Sequence, residues 1–160
     1  MGKFETLTNI GSSVIVKKSG TNSDIIKTIH SVLPFAIKQA KNAKFDQILK
    51  GKTEIETCQN IWNFLRRNLR YKEDSIHFQD IKLPRKLVLD GSGDCKSYSL
   101  FTAAILKSLN IPFKFVYTSY NENKTPSHVY IQTDSGIIID GVYSQFNKEK
   151  KWTYKYLKKE

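Results

Sequence analysis

One cysteine of the chain follows a turn-forming segment and begins an apolar stretch with helical spacing. Cys95 comes directly after Asp90-Gly91-Ser92-Gly93-Asp94, and the apolar pattern continues to Asn110 and Pro112. The thiol therefore lies in the first turn of a predicted helix, where unpaired N–H groups and the helix dipole favour thiolate over thiol. The same N–H groups suit the oxyanion of a tetrahedral intermediate. Cys95 is thus a candidate nucleophile; the alternative for this position alone is a small buried residue.

His128 and Asp140 lie at the two outer ends of a predicted β-hairpin whose turn is Asp134-Ser135-Gly136. If 132 pairs with 136, the two side chains lie directly opposite each other; if 134 pairs with 136, they form a diagonal pair within reach. A register shifted by one residue would put them on opposite faces. In either favourable register, Asp140 would orient His128 and His128 would take the Cys95 proton. This nucleophile–base–orienter arrangement performs acyl transfer.

These three side chains need a scaffold, and the sequence predicts an α+β domain. The 160 residues fit a single domain, 1–160. It comprises an N-terminal arm or strand over 1–20, a mainly helical region over 21–110, an antiparallel sheet over 111–147 and a basic aromatic tail over 148–160. We expect a central helix, with the cysteine at its N-terminus, packed on the sheet. The predicted strands are Ser13–Val16 in the arm and Phe113–Thr118, His128–Thr133 and Ile137–Tyr143 in the sheet.

Two amphipathic helices are predicted before the cysteine. One runs from Asn22 or Ser23 to Pro34, beyond which Phe35–Ala43 resumes it after a kink. The other begins at Thr53, with Glu56 completing a capping box. Its apolar stripe is Ile55, Cys58, Ile61, Trp62, Leu65 and Leu69, and its last turns carry Arg66, Arg67 and Arg70. We expect an inert core thiol at Cys58 and a solvated helix cap in the three arginines.

The composition limits the classes of protein and partner. Hydrophobic residues make up 39% of the chain, enough for a core, and no apolar run is long enough to span a membrane. No signal peptide is visible in residues 1–18, so we expect a cytoplasmic protein with two reduced cysteines. The net charge of +11, almost all from lysine, favours an acidic partner such as an acidic polymer or nucleic acid. No cofactor is implied, and His77, Cys95 and His128 lack the paired spacing typical of a zinc site.

The order of these motifs resembles the transglutaminase-like branch of the papain-like cysteine proteases. The resemblance covers residues 55–142. It rests on Arg70-Tyr71-Lys72-Glu73-Asp74, Gly93-Asp94-Cys95-Lys96-Ser97-Tyr98-Ser99-Leu100, Leu109-Asn110-Ile111-Pro112, Ser127-His128-Val129-Tyr130 and Ile139-Asp140-Gly141. Asn110 replaces the usual glycine of the family, and Val129 replaces a residue that is often small. Neither departure touches the three reactive positions.

The resemblance implies a cysteine-dependent acyl-transfer site with Cys95 as nucleophile, His128 as base and Asp140 as orienting residue, acting on a protein or peptide. Papain-like enzymes also use an oxyanion donor upstream of the cysteine, for which Gln79 is the candidate. The transglutaminase branch often uses a tryptophan instead, but Trp62 belongs to the predicted core stripe. The compact size and Leu83-Pro84-Arg85 are similar to small bacterial, prophage and phage members of the branch.

Two other functions are consistent with the sequence. In the first, the chain is a structural or assembly subunit, for example of a phage virion, and uses the same fold as a docking module with or without catalysis. The tail over 148–160 would then be an edge strand or an arm that orders on a neighbouring subunit. In the second, this tail and the positive charge bind nucleic acid through phosphate contacts and base stacking. The absence of an arginine-rich recognition helix argues against that alternative.

Overall fold

A computed structural model of the protein describes residues 13–17, 22–74, 78–122 and 124–159. The helices in this part of the chain are α1 (Asn22–Asn42), α2 (Phe45–Leu49), α3 (Glu54–Asn68), α4 (Pro84–Asp90) and α5 (Cys95–Ser108). The strands are β1 (Ser13–Lys17), β2 (Arg70–Tyr71), β3 (Phe78–Lys82), β4 (Ser92–Gly93), β5 (Phe113–Ser119), β6 (His128–Thr133), β7 (Ile138–Ile139) and β8 (Tyr154–Lys159). This mixture is the predicted α+β class.

The central helix α5 is the core of the fold. Every residue from Cys95 to Leu106 is buried, because α1 packs along one side of the helix and β6 along the other. Its C-terminal turn closes with N–H bonds from Asn110 to the Lys107 carbonyl and from Ile111 to the Leu106 carbonyl. This Schellman motif requires a left-handed residue after the helix, and Asn110 supplies it with φ 58°. Asparagine tolerates this conformation better than most residues, which explains how it replaces a glycine here.

Helix α1 continues through Pro34 instead of stopping there. This agrees with the prediction that Phe35–Ala43 resumes the helix beyond the proline. Buried side chains lie on both sides of the proline, with Val32 and Leu33 before it and Ala36 and Ala40 after it. A proline removes one backbone hydrogen bond from a helix. The apolar face that packs against α5 continues past Pro34. Burial of these side chains therefore stabilises the helix by more than the missing hydrogen bond costs.

Helix α3 begins as predicted, but its stripe and its end differ from the prediction. The Thr53 hydroxyl accepts a bond from the Glu56 N–H at 3.2 Å. Ile55 is 49% exposed and lies in the first turn, at the margin of the core. The helix ends at Asn68, so Arg70 is not in its last turn but in β2, which pairs in parallel with β4. The remaining stripe residues are buried or half-buried: Cys58, Ile61, Trp62, Leu65 and Leu69.

The main sheet is antiparallel, with the strand order β7-β6-β5-β8. The basic tail supplies β8, which pairs with β5, so one of its two predicted forms, the edge strand, is observed. Strand β7 contains only Ile138 and Ile139, and the chain turns after Asp140, where the Tyr143 N–H bonds the Asp140 carbonyl. The predicted strand Ile137–Tyr143 is therefore too long.

The N-terminal strand is described only over Ser13–Lys17. There β1 pairs antiparallel with β3, in a two-stranded sheet separate from the main one. The rest of the predicted arm, residues 1–12 and 18–20, lies outside the described residues. Helix α4 begins with Pro84 at its first position. It is absent from the sequence prediction, because Leu83-Pro84 is equally typical of a turn.

Candidate functional site

The sulfur of Cys95 lies at the N-terminus of α5, as the sequence predicts. Asp94 caps this helix, since its Oδ1 accepts a bond from the Lys96 N–H at 3.0 Å. Cys95 is 8% exposed and lines a cleft of about 130 Å³ whose wall also contains His128 and Gln79. Cys95 and Lys96, the first two residues of α5, both line this cleft, so the N-terminus of the helix borders it.

The hairpin brings His128 and Asp140 together. Ile131 pairs with Ile139 and Gln132 with Ile138, which is the register that makes the histidine and the aspartate a diagonal pair. His128 Nε2 and Asp140 Oδ2 are 2.7 Å apart. The histidine side chain is 11% exposed and the aspartate side chain 4%, so solvent screens this contact weakly.

The proton on His128 is stabilised from two sides. Burial by itself would lower the pKa of this imidazole, but hydrogen bonds to Asp140 and Cys95 and the charges of the same two groups raise the pKa to about 10. Asp140 bonds the imidazole at Nε2, and His128 lines the same cleft as Cys95. The surroundings of His128 therefore favour the protonated form of its ring.

Asp140 is held by groups outside the hairpin. Its Oδ1 accepts a bond from the Val142 N–H at 3.0 Å, and its backbone carbonyl accepts one from Trp62 Nε1, also at 3.0 Å. The next residue, Gly141, has no room for a side chain, since a Cβ there would lie 2.8 Å from Leu65. Trp62 thus links helix α3 to the aspartate. The sequence assigned this tryptophan to the core stripe and did not predict the link.

Gln79 is the sequence candidate for an oxyanion donor. It lies in β3, opposite Val16 of β1, and lines the same cleft as Cys95 and His128. Its strand is fixed to α5 by a bond from the Lys82 N–H to Ser97 Oγ at 2.9 Å. The structure therefore puts Gln79 on the wall of the cleft, on an element attached to the helix that begins with the cysteine.

A buried charge cluster beside the cysteine was not predicted. Lys96 Nζ forms an ion pair with Asp94 and lies 3.5 Å from Asp74 Oδ2, which also accepts the Asp80 N–H at 2.7 Å. Burial and the nearby Asp94 charge raise the pKa of Asp74 to about 6. The adjacency of Asp94 and Lys96 was visible in the sequence, but Asp74 is twenty positions earlier. Only the parallel pairing of β2 and β4 brings it near.

The opposite wall of the cleft comes from α1, which contributes Ile25, Ile26 and Ile29. Tyr117 of β5 also lines the cleft, and its hydroxyl is 3.2 Å from His30 Nε2. The sequence identified these isoleucines only as a helical stripe, and helical spacing alone does not distinguish a residue that covers the core from one that lines a cleft.

Within the described parts of the chain, no group of three His, Cys, Asp or Glu side chains has the arrangement of metal ligands. His77, one of the residues considered for zinc, lies outside them. None of the described helices combines the length and apolarity that a membrane crossing requires.

Comparison with known proteins identifies the family. A model of the transglutaminase-like domain matches residues 40–153. A crystal structure named as that of a "Putative Cysteine Protease from Cytophaga hutchinsonii" aligns with the chain at 14% sequence identity and a TM-score of 0.44. The match covers 79% of this chain but 48% of that one, so this chain spans about half its length. No curated protein matches the sequence significantly. The family match covers more than half of the residues, and the chain therefore belongs to the transglutaminase-like domain family.

Proposed function

We propose that the protein is a cysteine-dependent acyl-transfer enzyme that acts on a peptide or amide bond. In this proposal, Cys95 is the nucleophile, His128 exchanges protons with the reacting groups, and Asp140 orients the imidazole. The observation that carries the proposal is the position of His128, which bonds Asp140 at 2.7 Å and lines the same cleft as Cys95. Family membership supports a cysteine enzyme in general; the roles of the three residues are the proposal.

The first half of the reaction forms an acyl-enzyme. The Cys95 thiolate attacks the carbonyl carbon of the substrate, and the C=O electron pair moves onto oxygen. The oxyanion would be held by the backbone N–H of Cys95, at the free end of α5, and by the Gln79 side chain. His128 then gives its proton to the leaving amine, the C–N bond breaks, and a thioester remains on Cys95.

The second half of the reaction regenerates the enzyme. Water or an amine attacks the thioester carbonyl, and the now neutral His128 accepts the proton of this nucleophile. The tetrahedral intermediate collapses, the C–S bond breaks, and the thiolate–imidazolium pair is restored. Water makes the enzyme a protease or amidase, whereas an amine makes it a transglutaminase. The carboxylate of Asp140 stabilises the imidazolium of the resting enzyme and holds the ring in place throughout.

Two measurements test this proposal. Iodoacetamide at mildly acidic pH should alkylate Cys95 before Cys58, as mass spectrometry of the digested protein would report. With p-nitrophenyl acetate, the protein should release a burst of p-nitrophenol equal to the amount of protein, with the acetyl group on Cys95. His128→Ala should slow the alkylation of Cys95 and remove the burst.

The matched control is Cys58→Ala, which leaves Cys95 and His128 in place and should show the same burst as the wild-type protein. Equal alkylation of Cys95 and Cys58 in the folded wild-type protein, together with no burst, would refute the proposal. The same burst in Cys95→Ala would refute Cys95 as the nucleophile.

A further inference from the structure

A second depression, rich in lysine, adjoins the cleft that contains Cys95. It has a volume of about 510 Å³ and shares two wall residues, Ile26 of α1 and Pro126, with the smaller cleft of about 130 Å³. The floor is continuous as well: Tyr117 lines the first depression, Tyr156 lines the second, and their rings stack 5.1 Å apart. The two depressions therefore form one groove that leads away from the thiol.

Three lysines give the outer part of this groove its positive charge. Lys27 comes from α1, Lys124 from the segment before β6, and Lys158 from β8, so separate parts of the chain converge here. All three are exposed. Among the residues that the structure describes, none of these ammonium groups lies within ion-pair distance of a carboxylate. Lys124 lies over the ring of Tyr154, 5.2 Å from its centroid, a contact that leaves its charge available.

We propose that this outer part, the lysine groove formed by Lys27, Lys124, Lys158 and Tyr156, is a substrate subsite for the acidic side chains of a peptide whose amide group reacts at Cys95. The inference rests on the proposed function, which supplies the chemistry at the thiol. No carboxylate in the described part of the chain pairs with these three cations, so carboxylates of a bound peptide would neutralise their charge. The tyrosine floor offers flat apolar surface to the rest of the peptide.

A polypeptide fits the groove better than a nucleic acid does. The lysine charges alone would attract phosphates as well as carboxylates. The groove, however, begins at a thiol that reacts with acyl carbonyls, and the backbone of a polypeptide has an amide carbonyl at every residue, whereas a phosphodiester backbone has none. An extended peptide advances about 3.3 Å per residue, so an acidic side chain in the lysine groove would lie only a few residues from the reacting carbonyl.

The test combines direct binding with protection of the thiol, on the full chain. The probe is a short fluorescent peptide with one glutamine flanked by aspartates, and the matched peptide has asparagine at each aspartate position. Fluorescence anisotropy measures binding to the Cys95→Ala variant, in which no reaction can occur. In the wild-type protein, the iodoacetamide alkylation rate of Cys95 is measured with and without each peptide. We expect the aspartate peptide to bind and to slow alkylation, and the asparagine peptide to do neither.

Charge-reversal variants locate the effect. Lys27→Glu and Lys158→Glu should each weaken binding of the aspartate peptide by about threefold to tenfold, and should reduce its protection of Cys95. Lys38→Glu is the matched control, because Lys38 is an exposed residue of the same helix about 16 Å further along its axis. It changes the net charge of the protein equally and should leave the affinity nearly unchanged.

Several results would overturn the inference. An equal loss of affinity in Lys38→Glu would show that overall charge, not the groove, attracts the peptide. A single-stranded oligonucleotide that displaces the aspartate peptide and binds more tightly would identify nucleic acid as the ligand. Binding without protection of Cys95 would separate the groove from the reactive cleft. Failure of the proposed function differs from all of these: Cys95 would then be no more reactive than Cys58 without any peptide, while the anisotropy assay would still report on the groove.

Discussion

The chain has two cysteines, each near the N-terminus of a helix and each part of the same buried core. Cys58 is in the second turn of α3 and is fully buried. Burial and the nearby charge of Glu54 raise the pKa of its thiol to about 12. Cys95 is the first residue of α5 and lines a cleft together with His128. Cys58 is thus one turn further from the N-terminus of its helix than Cys95 is from the N-terminus of its own. Cys58 lies in the apolar core, whereas Cys95 borders a cleft.

The difference shows which features make a thiol reactive. A helix dipole acts mainly on the first turn, so Cys58 gains little from it, and its apolar neighbours disfavour the charged form. Cys95 lies beside free N–H groups and an imidazole that a buried carboxylate keeps protonated. The position of Cys95 along the helix was visible in the sequence, which also named His128 as its partner, and the fold brings that imidazole into the same cleft.

The sharpest way to break this comparison is to remove each sulfur in turn. Cys95→Ala should lower the acyl-transfer rate by at least about a thousandfold, because no other group can form the thioester. Cys58→Ala should leave the rate unchanged and reduce the free energy of unfolding by about 1–2 kcal/mol, since it leaves a small cavity in the core. Steady-state kinetics and urea unfolding of both variants check this. A comparable loss of rate in Cys58→Ala, with its fold intact, would contradict it.

The second test separates thiol reactivity from oxyanion stabilisation. Gln79→Ala should lower kcat for acyl transfer by about a hundredfold, because the proposed mechanism makes this side chain one of two donors to the oxyanion. The alkylation rate of Cys95 should be unchanged, since alkylation forms no oxyanion. Gln132→Ala, on β6 and outside the cleft lining, is the control. Equal loss in alkylation and acyl transfer would show that Gln79 acts on the thiol or on folding instead.

The third test addresses the charge behind His128. Asp140→Asn can keep a hydrogen bond to Nε2 but removes the negative charge, so the pKa of His128 should fall toward its ordinary value of 6.5. We expect about a tenfold loss of rate, because an asparagine can orient a catalytic histidine in cysteine proteases. An NMR titration of the His128 ring in both proteins measures the pKa. An unchanged titration would mean that Asp140 does not sustain the protonated imidazole.

The last expected effect is on stability as a function of pH. The pKa of His128 is raised from 6.5 to about 10 in the folded protein. The stabilising contribution of the protonated ring is therefore complete below pH 6.5 and is lost as the pH rises toward 10. The slope for one proton is at most about 1.4 kcal/mol per pH unit. Urea unfolding between pH 6.5 and 10 should show this decrease in the free energy of unfolding for the wild-type protein. His128→Gln keeps the other titrating groups and should lack the part of the decrease that His128 causes.

Features fixed by neighbouring residues were predictable. The caps at Thr53 and Asp94 and the turn at Asp134-Ser135-Gly136 each depend on a few adjacent side chains. The hairpin sequence allowed two strand registers that would bring His128 and Asp140 together. The observed register is the one in which the Thr133 N–H bonds the Ile137 carbonyl. The helix after Leu83 was missed because proline favours a turn and a helix start alike.

Features that join distant segments were not predictable. Asp74 approaches Lys96, Trp62 bonds the Asp140 carbonyl, and α1 forms one wall of the cleft. In each case the sequence pattern is also typical of a polar loop or a core stripe. Neighbouring residues alone do not show whether such a residue contributes to the site as well. The assembly subunit, the phage or virion origin, nucleic-acid binding and the cytoplasmic location stay predictions.

The sequence by itself determined the class of the fold, the helix that begins at Cys95 and the hairpin that carries His128 and Asp140, because periodicity, caps and turns act over a few residues. Only the tertiary structure decided that His128 and Gln79 share a cleft with the sulfur and that three lysines line the adjoining depression. Those contacts depend on how α1, β3 and β8 pack around α5, and packing is a property of the whole chain.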